Sequence, residues 1–227
     1  MDKLQIKSEN SEPFIGRIEA GELIAVELER FRNKKAVVLG IPRGGVIVAN
    51  QIAQALTTDF DIVLSHKLGA PANPELAIGA VCEDGTIFID KNLARCVGAD
   101  EGYIEQEKNR QLQEIAHKVH LYRKIIPKII LKHRLVIVTD DGVATGATMR
   151  AALWAIRQEK PEKIVMALPV GPKDTVTQLS ESADETVCLK TPPTFEALGK
   201  FYTNFGQVED DELLEILKQE SERRSRE

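Results

Sequence analysis

Leu135-Val-Ile-Val-Thr-Asp-Asp-Gly-Val-Ala-Thr-Gly-Ala-Thr-Met149 begins with four apolar residues, three of them β-branched, and runs into paired carboxylates at Asp140 and Asp141. That pattern predicts a buried parallel strand with two acids at its tip. Ala144-Thr-Gly-Ala-Thr148 follows as a short loop of small and hydroxylic residues, and Met149 to Arg157 continues with helical spacing. The loop therefore opens a helix. Its free N–H groups and positive dipole end suit a phosphate, assisted by the hydroxyls of Thr145 and Thr148. Carboxylates one turn away repel a phosphate but suit a sugar diol, so the stretch reads as a ribose 5-phosphate site. The plainer alternative is another kind of α/β strand end whose acids bind only a metal.

Working outward, Ala36 to Ile41 is a second short apolar strand, followed by Pro42-Arg-Gly-Gly45 and a helical run from Val46 to Leu56. Adjacent glycines at Gly44 and Gly45 let a backbone approach a ligand, and Arg43 can fork onto phosphate oxygens. Asp61 to Ser65 is the next strand, and the Gly- and Pro-rich stretch His66 to Glu75 predicts a long loop. Leu76 to Cys82 and Thr86 to Ile89 read as a hairpin about Glu83-Asp84-Gly85. Lys163 to Val170, Asp174 to Ser180 and Glu185 to Leu189 continue as strand, helix and strand. Sustained βαβ alternation predicts an α/β fold: a mostly parallel sheet in a three-layer α/β/α arrangement, with ligands at the carboxyl ends of the strands. Arg43, Lys67, Asp140 and Thr145 all follow predicted strand ends.

The 227 residues, 43% of them hydrophobic, suffice for one sizeable core, which predicts a single domain over 1–227. A net charge of -5 excludes general attraction to nucleic acid or anionic membrane. No apolar run approaches the roughly 20 residues that span a bilayer, and the polar start lacks a signal-peptide core, so a cytoplasmic protein is expected. Cys82, Cys96 and Cys188 are widely spaced and read as reduced structural thiols. Apolar residues at Ile18, Leu23, Val26 and Leu28 predict an amphipathic helix over Arg17 to Phe31. Between 91 and 132, Tyr103, Ile104, Leu112, Ile115, Val119 and Tyr122 predict one long amphipathic helix ending before Pro127, an insertion suited to packing or to homodimer formation. Glu114, His117 and His120 share a face of it, more in the manner of a solvated face than of a metal clip. Asp210 to Lys218 reads as a helix that dissolves into Ser221 to Glu227.

The Asp140 to Thr148 stretch resembles the 5-phosphoribosyl-1-pyrophosphate (PRPP) signature of the type I phosphoribosyltransferases. Ile41-Pro-Arg-Gly-Gly45, Lys67-Leu-Gly-Ala-Pro71, Pro74-Glu-Leu-Ala-Ile-Gly79 and Phe205-Gly-Gln-Val208 extend the likeness, over nearly the whole chain, to uncharacterised bacterial phosphoribosyltransferases. The resemblance implies a phosphoribosyltransferase-like fold, with PRPP and Mg2+ as cosubstrate and cofactor and a small-molecule acceptor. It implies that Ala144, Thr145, Gly146, Ala147 and Thr148 bind the 5-phosphate, and that Asp140 and Asp141 hold the ribose hydroxyls and meet the metal through substrate or water. Arg43, Gly44 and Gly45 would form the pyrophosphate loop, with Lys67 as a second cation at the base of a mobile loop. The segment 191–227 resembles a C-terminal hood and tail, with Phe195 as the residue that stacks on a base.

The implied reaction displaces pyrophosphate from C1 of PRPP by a nitrogen nucleophile, with Lys67, Asp140 and Asp141 as the catalytic set. Two rivals keep the pocket: a PRPP or nucleotide sensor without transfer, and a ribosyl-phosphate hydrolase. Enzymes that salvage 6-oxopurines commonly carry an aspartate where this chain has Ala144, so hypoxanthine- and guanine-type bases are expected to be poor acceptors here.

Overall fold

The computed structural model describes residues 3–226. Six strands form one sheet: β1 (Leu4–Ser8), β2 (Ala36–Gly40), β3 (Asp59–Ile62), β7 (Leu135–Thr139), β8 (Lys163–Val170) and β9 (Glu185–Lys190). Their order is β1-β9-β8-β7-β2-β3, and every pairing is parallel. Side chains alternate between two cores, as the period of a strand requires. Val38, Ile137, Val165 and Val187 face α1 (Arg17–Glu27), α2 (Gly44–Leu56) and α7 (Asp210–Arg226). Val37, Val136, Ile164 and Met166 face α5 (Ala147–Gln158) and α6 (Lys173–Ser180). The result is the expected three-layer α/β/α arrangement. Gly40 pairs with Thr139, so the turns that leave β2 and β7 start side by side.

Several elements depart from the sequence reading. His66 to Glu75 is not a loop: β4 (Ser65–Ala70) turns at Pro71-Ala72 into β5 (Asn73–Cys82), and β6 (Ile87–Ile89) completes a second, antiparallel sheet. Gly69 permits this, because a Cβ there would lie 2.8 Å from the Pro74 carbonyl oxygen. The register shifts at that point, which accommodates the proline that argued against a strand. The expected hairpin of Leu76 to Cys82 with Thr86 to Ile89 is present. The insertion holds two helices, α3 (Lys91–Cys96) and α4 (Glu101–Arg123). Each has its own aspartate cap: Asp90 accepts from Asn92 and Leu93 N–H, and Asp100 from Tyr103 N–H.

Helix α1 turns its small side inward. Ala20, Gly21, Ile24 and Ala25 are buried, while Ile18, Leu23 and Val26 are exposed; of the four residues expected on the inner face only Leu28, just past the helix end, is buried. A Cβ on Gly21 would lie 2.7 Å from Gln51 Cβ, so α1 and α2 pack at near backbone contact and the larger side chains are left outside. Helix α7 continues through Arg226, beyond the expected end at Lys218. Buried Glu220 anchors it, accepting from Phe60 N–H at 3.1 Å and pairing with Arg223 at 2.7 Å and Arg224 at 3.1 Å. Strand β1, in the polar start of the chain, pairs with β9. No helix among the described residues is long and apolar enough to cross a membrane.

Candidate functional site

The turn after β2 lies directly on the acids after β7. A Cβ on Gly44 would come 2.0 Å from Asp141 Oδ2, and one on Gly45 would come 2.7 Å from Asp140 Cα. Both positions therefore require glycine for contact with the acidic tip, a demand made by protein neighbours before any ligand is considered. The Pro42–Arg43 peptide is cis. Arg43 Nη1 lies 3.8 Å from Asp210 Oδ1 at the start of α7.

Asp140 accepts the Asp141 N–H at 2.9 Å. Burial, and then the charge of Asp141, push its carboxyl well above the usual carboxylate range. Asp141 Oδ2 is taken by Arg17 Nε at 2.7 Å, with the two side chains only 10% and 12% exposed. Arg17 also donates from Nη1 to the Gly206 carbonyl at 2.9 Å and lies 4.1 Å over the Phe205 ring, which stacks on Tyr202. The Tyr202 hydroxyl donates to the Asp141 main-chain oxygen, and burial pushes its ionisation to higher pH than that of a free phenol. The acid pair is thus clasped by the N-terminal helix and the 202–206 segment. Arg17 had no signal in the sequence beyond its place at a helix start, whereas the aromatic 195–205 segment was legible as a unit.

Within that segment Phe195 is half-buried and stacks on Phe201, with centroids 5.0 Å apart. It packs against the core, and Phe205 rather than Phe195 is connected to the acids through Arg17.

The loop after the acids opens α5, as the spacing predicts. Gly146 adopts φ 74 at the start of α5, where the Thr145 hydroxyl accepts the N–H of Ala147, the first helical residue, at 3.4 Å. The first turn of a helix leaves further N–H groups without an intrahelical partner, and such groups suit an anion. Thr145 and Thr148 are exposed beside them, and Thr175 Oγ1 steadies the loop by donating to the Ala144 carbonyl at 3.1 Å. Gly142 is needed for close packing, since a Cβ there would lie 2.4 Å from Leu198 Cδ1.

Lys67 sits within β4 instead of at a loop base, with Nζ 2.8 Å from Glu75 Oε1. It nevertheless reaches the site, because a cavity of about 320 Å³ is lined by Lys67, His66, Pro42 and Thr148 together with Gln111, Glu114 and Lys118 of α4. The insertion helix therefore contributes to this edge of the molecule. Among the described residues no three His, Cys, Asp or Glu side chains converge as a metal site, Glu114, His117 and His120 included.

The parallel α/β sheet thus gathers a helix start, an acid pair and a glycine turn at its carboxyl edge, the edge at which sheets of this kind bind their ligands. The family model of the phosphoribosyl transferase domain matches residues 15–204, and the chain belongs to that family. Two Mycobacterium tuberculosis proteins, each named "Putative phosphoribosyl transferase" (MT0597 of strain CDC 1551 / Oshkosh and Rv0571c of strain H37Rv), are 40% identical over 204 residues, covering 90% of this chain. The chain spans 46% of the length of those relatives. The crystal structure of TT1426 from Thermus thermophilus is 42% identical, with a TM-score of 0.86 over 91% of this chain and 98% of that one.

Proposed function

We propose that this chain transfers the 5-phosphoribosyl group of PRPP to a nitrogenous acceptor, with magnesium, and releases pyrophosphate. One observation carries the reading: Gly44 and Gly45 touch Asp141 and Asp140. That contact brings the glycine turn to the acid pair, which the Gly142 to Gly146 loop joins to the first turn of α5. In this reading Thr145 to Thr148 hold the 5-phosphate, Asp140 and Asp141 orient the ribose hydroxyls, and Arg43 and Lys67 draw off the pyrophosphate. The C1–O bond to pyrophosphate breaks, a C1–N bond forms, and the acceptor proton passes to solvent.

Asp140 Oδ1 accepts the Asp141 N–H, and Asp141 Oδ2 is held by Arg17, so the two carboxyls stand together as oxygen donors at the strand end. That donor set fits a magnesium ion shared with substrate oxygens and water, and bound magnesium would neutralise charge on the departing pyrophosphate. Substrate must exchange the Lys67–Glu75 and Arg43–Asp210 contacts for its own oxygens. We place the reaction in the cytoplasm, which suits three free thiols. Incubation with PRPP, magnesium and a panel of bases and amines tests the proposal by pyrophosphate release. Release only with an acceptor supports transfer. Release without one means a hydrolase, and PRPP binding without release means a sensor.

A further inference from the structure

The cavity beside Thr148 holds a cation that the reaction above does not use. Lys118 of α4 is half-buried in its wall and forms no ion pair among the described residues, whereas Lys67 faces Glu75 and Arg43 faces Asp210. It is positioned by a polar relay. An ammonium only donates, so the 3.4 Å contact between Lys118 Nζ and His66 Nε2 makes Nε2 the acceptor. His66 Nδ1 then carries the proton and donates to Gln111 Oε1 at 2.9 Å, and Gln111 Nε2 donates to Glu107 at 3.0 Å. Burial lowers the proton affinity of His66, consistent with a neutral ring in this role. Glu114, the one acid in the wall, is 53% exposed and lies 3.8 Å from His66 Nδ1.

We propose that the acceptor is a planar nitrogen base bearing a carboxylate, and that Lys118 binds this group in the cavity between β4 and α4. The inference rests on the transferase reading and names its acceptor class. In that reading the Thr145 to Thr148 loop serves the 5-phosphate and Arg43 and Lys67 serve the pyrophosphate, which leaves Lys118 for the second substrate. No Phe, Tyr or Trp ring lines the cavity, so charge and hydrogen bonds, not stacking, select what enters.

The test compares matched pairs, nicotinate with nicotinamide and orotate with uracil, by pyrophosphate release from PRPP and magnesium and by calorimetric binding of each compound to the chain alone. The carboxylated member of a pair is expected to act and to bind. Lys118→Gln should raise its KM or Kd at least about tenfold, the loss of one charged hydrogen bond, and Lys118→Arg should restore most of it. Equal use of the neutral member overturns the proposal. So does a Lys118→Gln effect on the KM of PRPP with none on the acceptor, which would assign the cavity to pyrophosphate. If no compound supports release, calorimetry decides: carboxylate binding lost in Lys118→Gln upholds the anion site, and no binding, or binding indifferent to the substitution, overturns it. Failure of PRPP to bind sinks the transferase reading alone, because carboxylate binding is measured without it.

Discussion

At the scale of single residues, the pairing of Arg17 with Asp141 governs the acid tip. Two carboxylates in sequence repel each other, and Arg17 is the cation that offsets them, held in turn by the Gly206 carbonyl and the Phe205 ring. Arg17→Gln is expected to cost about 3 kcal/mol, since it leaves a largely buried carboxylate unpaired. Arg17→Lys should recover part of that in urea unfolding, and a glutamine variant as stable as the parent would show that the pair holds nothing. Thr148 is exposed at the helix start, so Thr148→Val should leave the fold intact. It should weaken ribose 5-phosphate binding by about 1.5 to 3 kcal/mol in calorimetry. Arg43→Ala and Lys67→Ala should impair pyrophosphate binding and spare ribose 5-phosphate. Equal weakening of both ligands would remove those side chains from the pyrophosphate role.

At the scale of elements, close approach of backbones decides which faces are buried. Helix α1 meets α2 through Gly21, where a Cβ would also lie 2.9 Å from the Val48 carbonyl oxygen. Gly21→Val is therefore expected to destabilise by about 1 to 3 kcal/mol through overpacking. Ile18→Ser and Val26→Ser, on the exposed side, should stay within about 0.5 kcal/mol. Denaturant midpoints for the three variants check the helix orientation, and the opposite ranking would require α1 to be turned over. A similar close approach at Gly69 converts an expected loop into the β4–β5 pair and carries Lys67 and His66 to the wall of the cavity.

For the whole molecule, burial separates the three thiols. Burial pushes Cys82 up to about 11 and Cys188 up to about 12, while Cys96 is exposed. In the native state one thiol should react rapidly with a disulfide reagent at pH 8, and three after unfolding. The same shifts make stability depend on alkaline pH. Below about pH 8.5 these thiols are protonated in both states and contribute nothing. Above it the unfolded chain releases protons that the folded chain retains, so each thiol lowers stability by about 1.4 kcal/mol per pH unit until its folded value is reached. Urea unfolding at pH 8 and pH 10 measures the fall, and Cys82→Ala should make it shallower. Identical slopes for parent and variant would show that Cys82 is not the buried thiol described.

Apolar runs in the sequence mark five of the six strands of the parallel sheet, β1 excepted, and put Arg43, the acid pair and the Thr145 to Thr148 loop after strand ends at one edge of it. Those features are local: an apolar run ends in polar residues within a few positions, and parallel crossovers leave one arrangement of strand ends. Packing alone settles that Arg17 clasps Asp141 across 124 positions, that Phe205 and not Phe195 lies against Arg17, which side of α1 is buried, and that α4 supplies Lys118. Each of these depends on two segments distant in the chain, and on shape and charge that exist only once both are packed. Periodicity along one segment reports that it has an inner face. Which neighbour that face meets, and how closely, is set by the other segment.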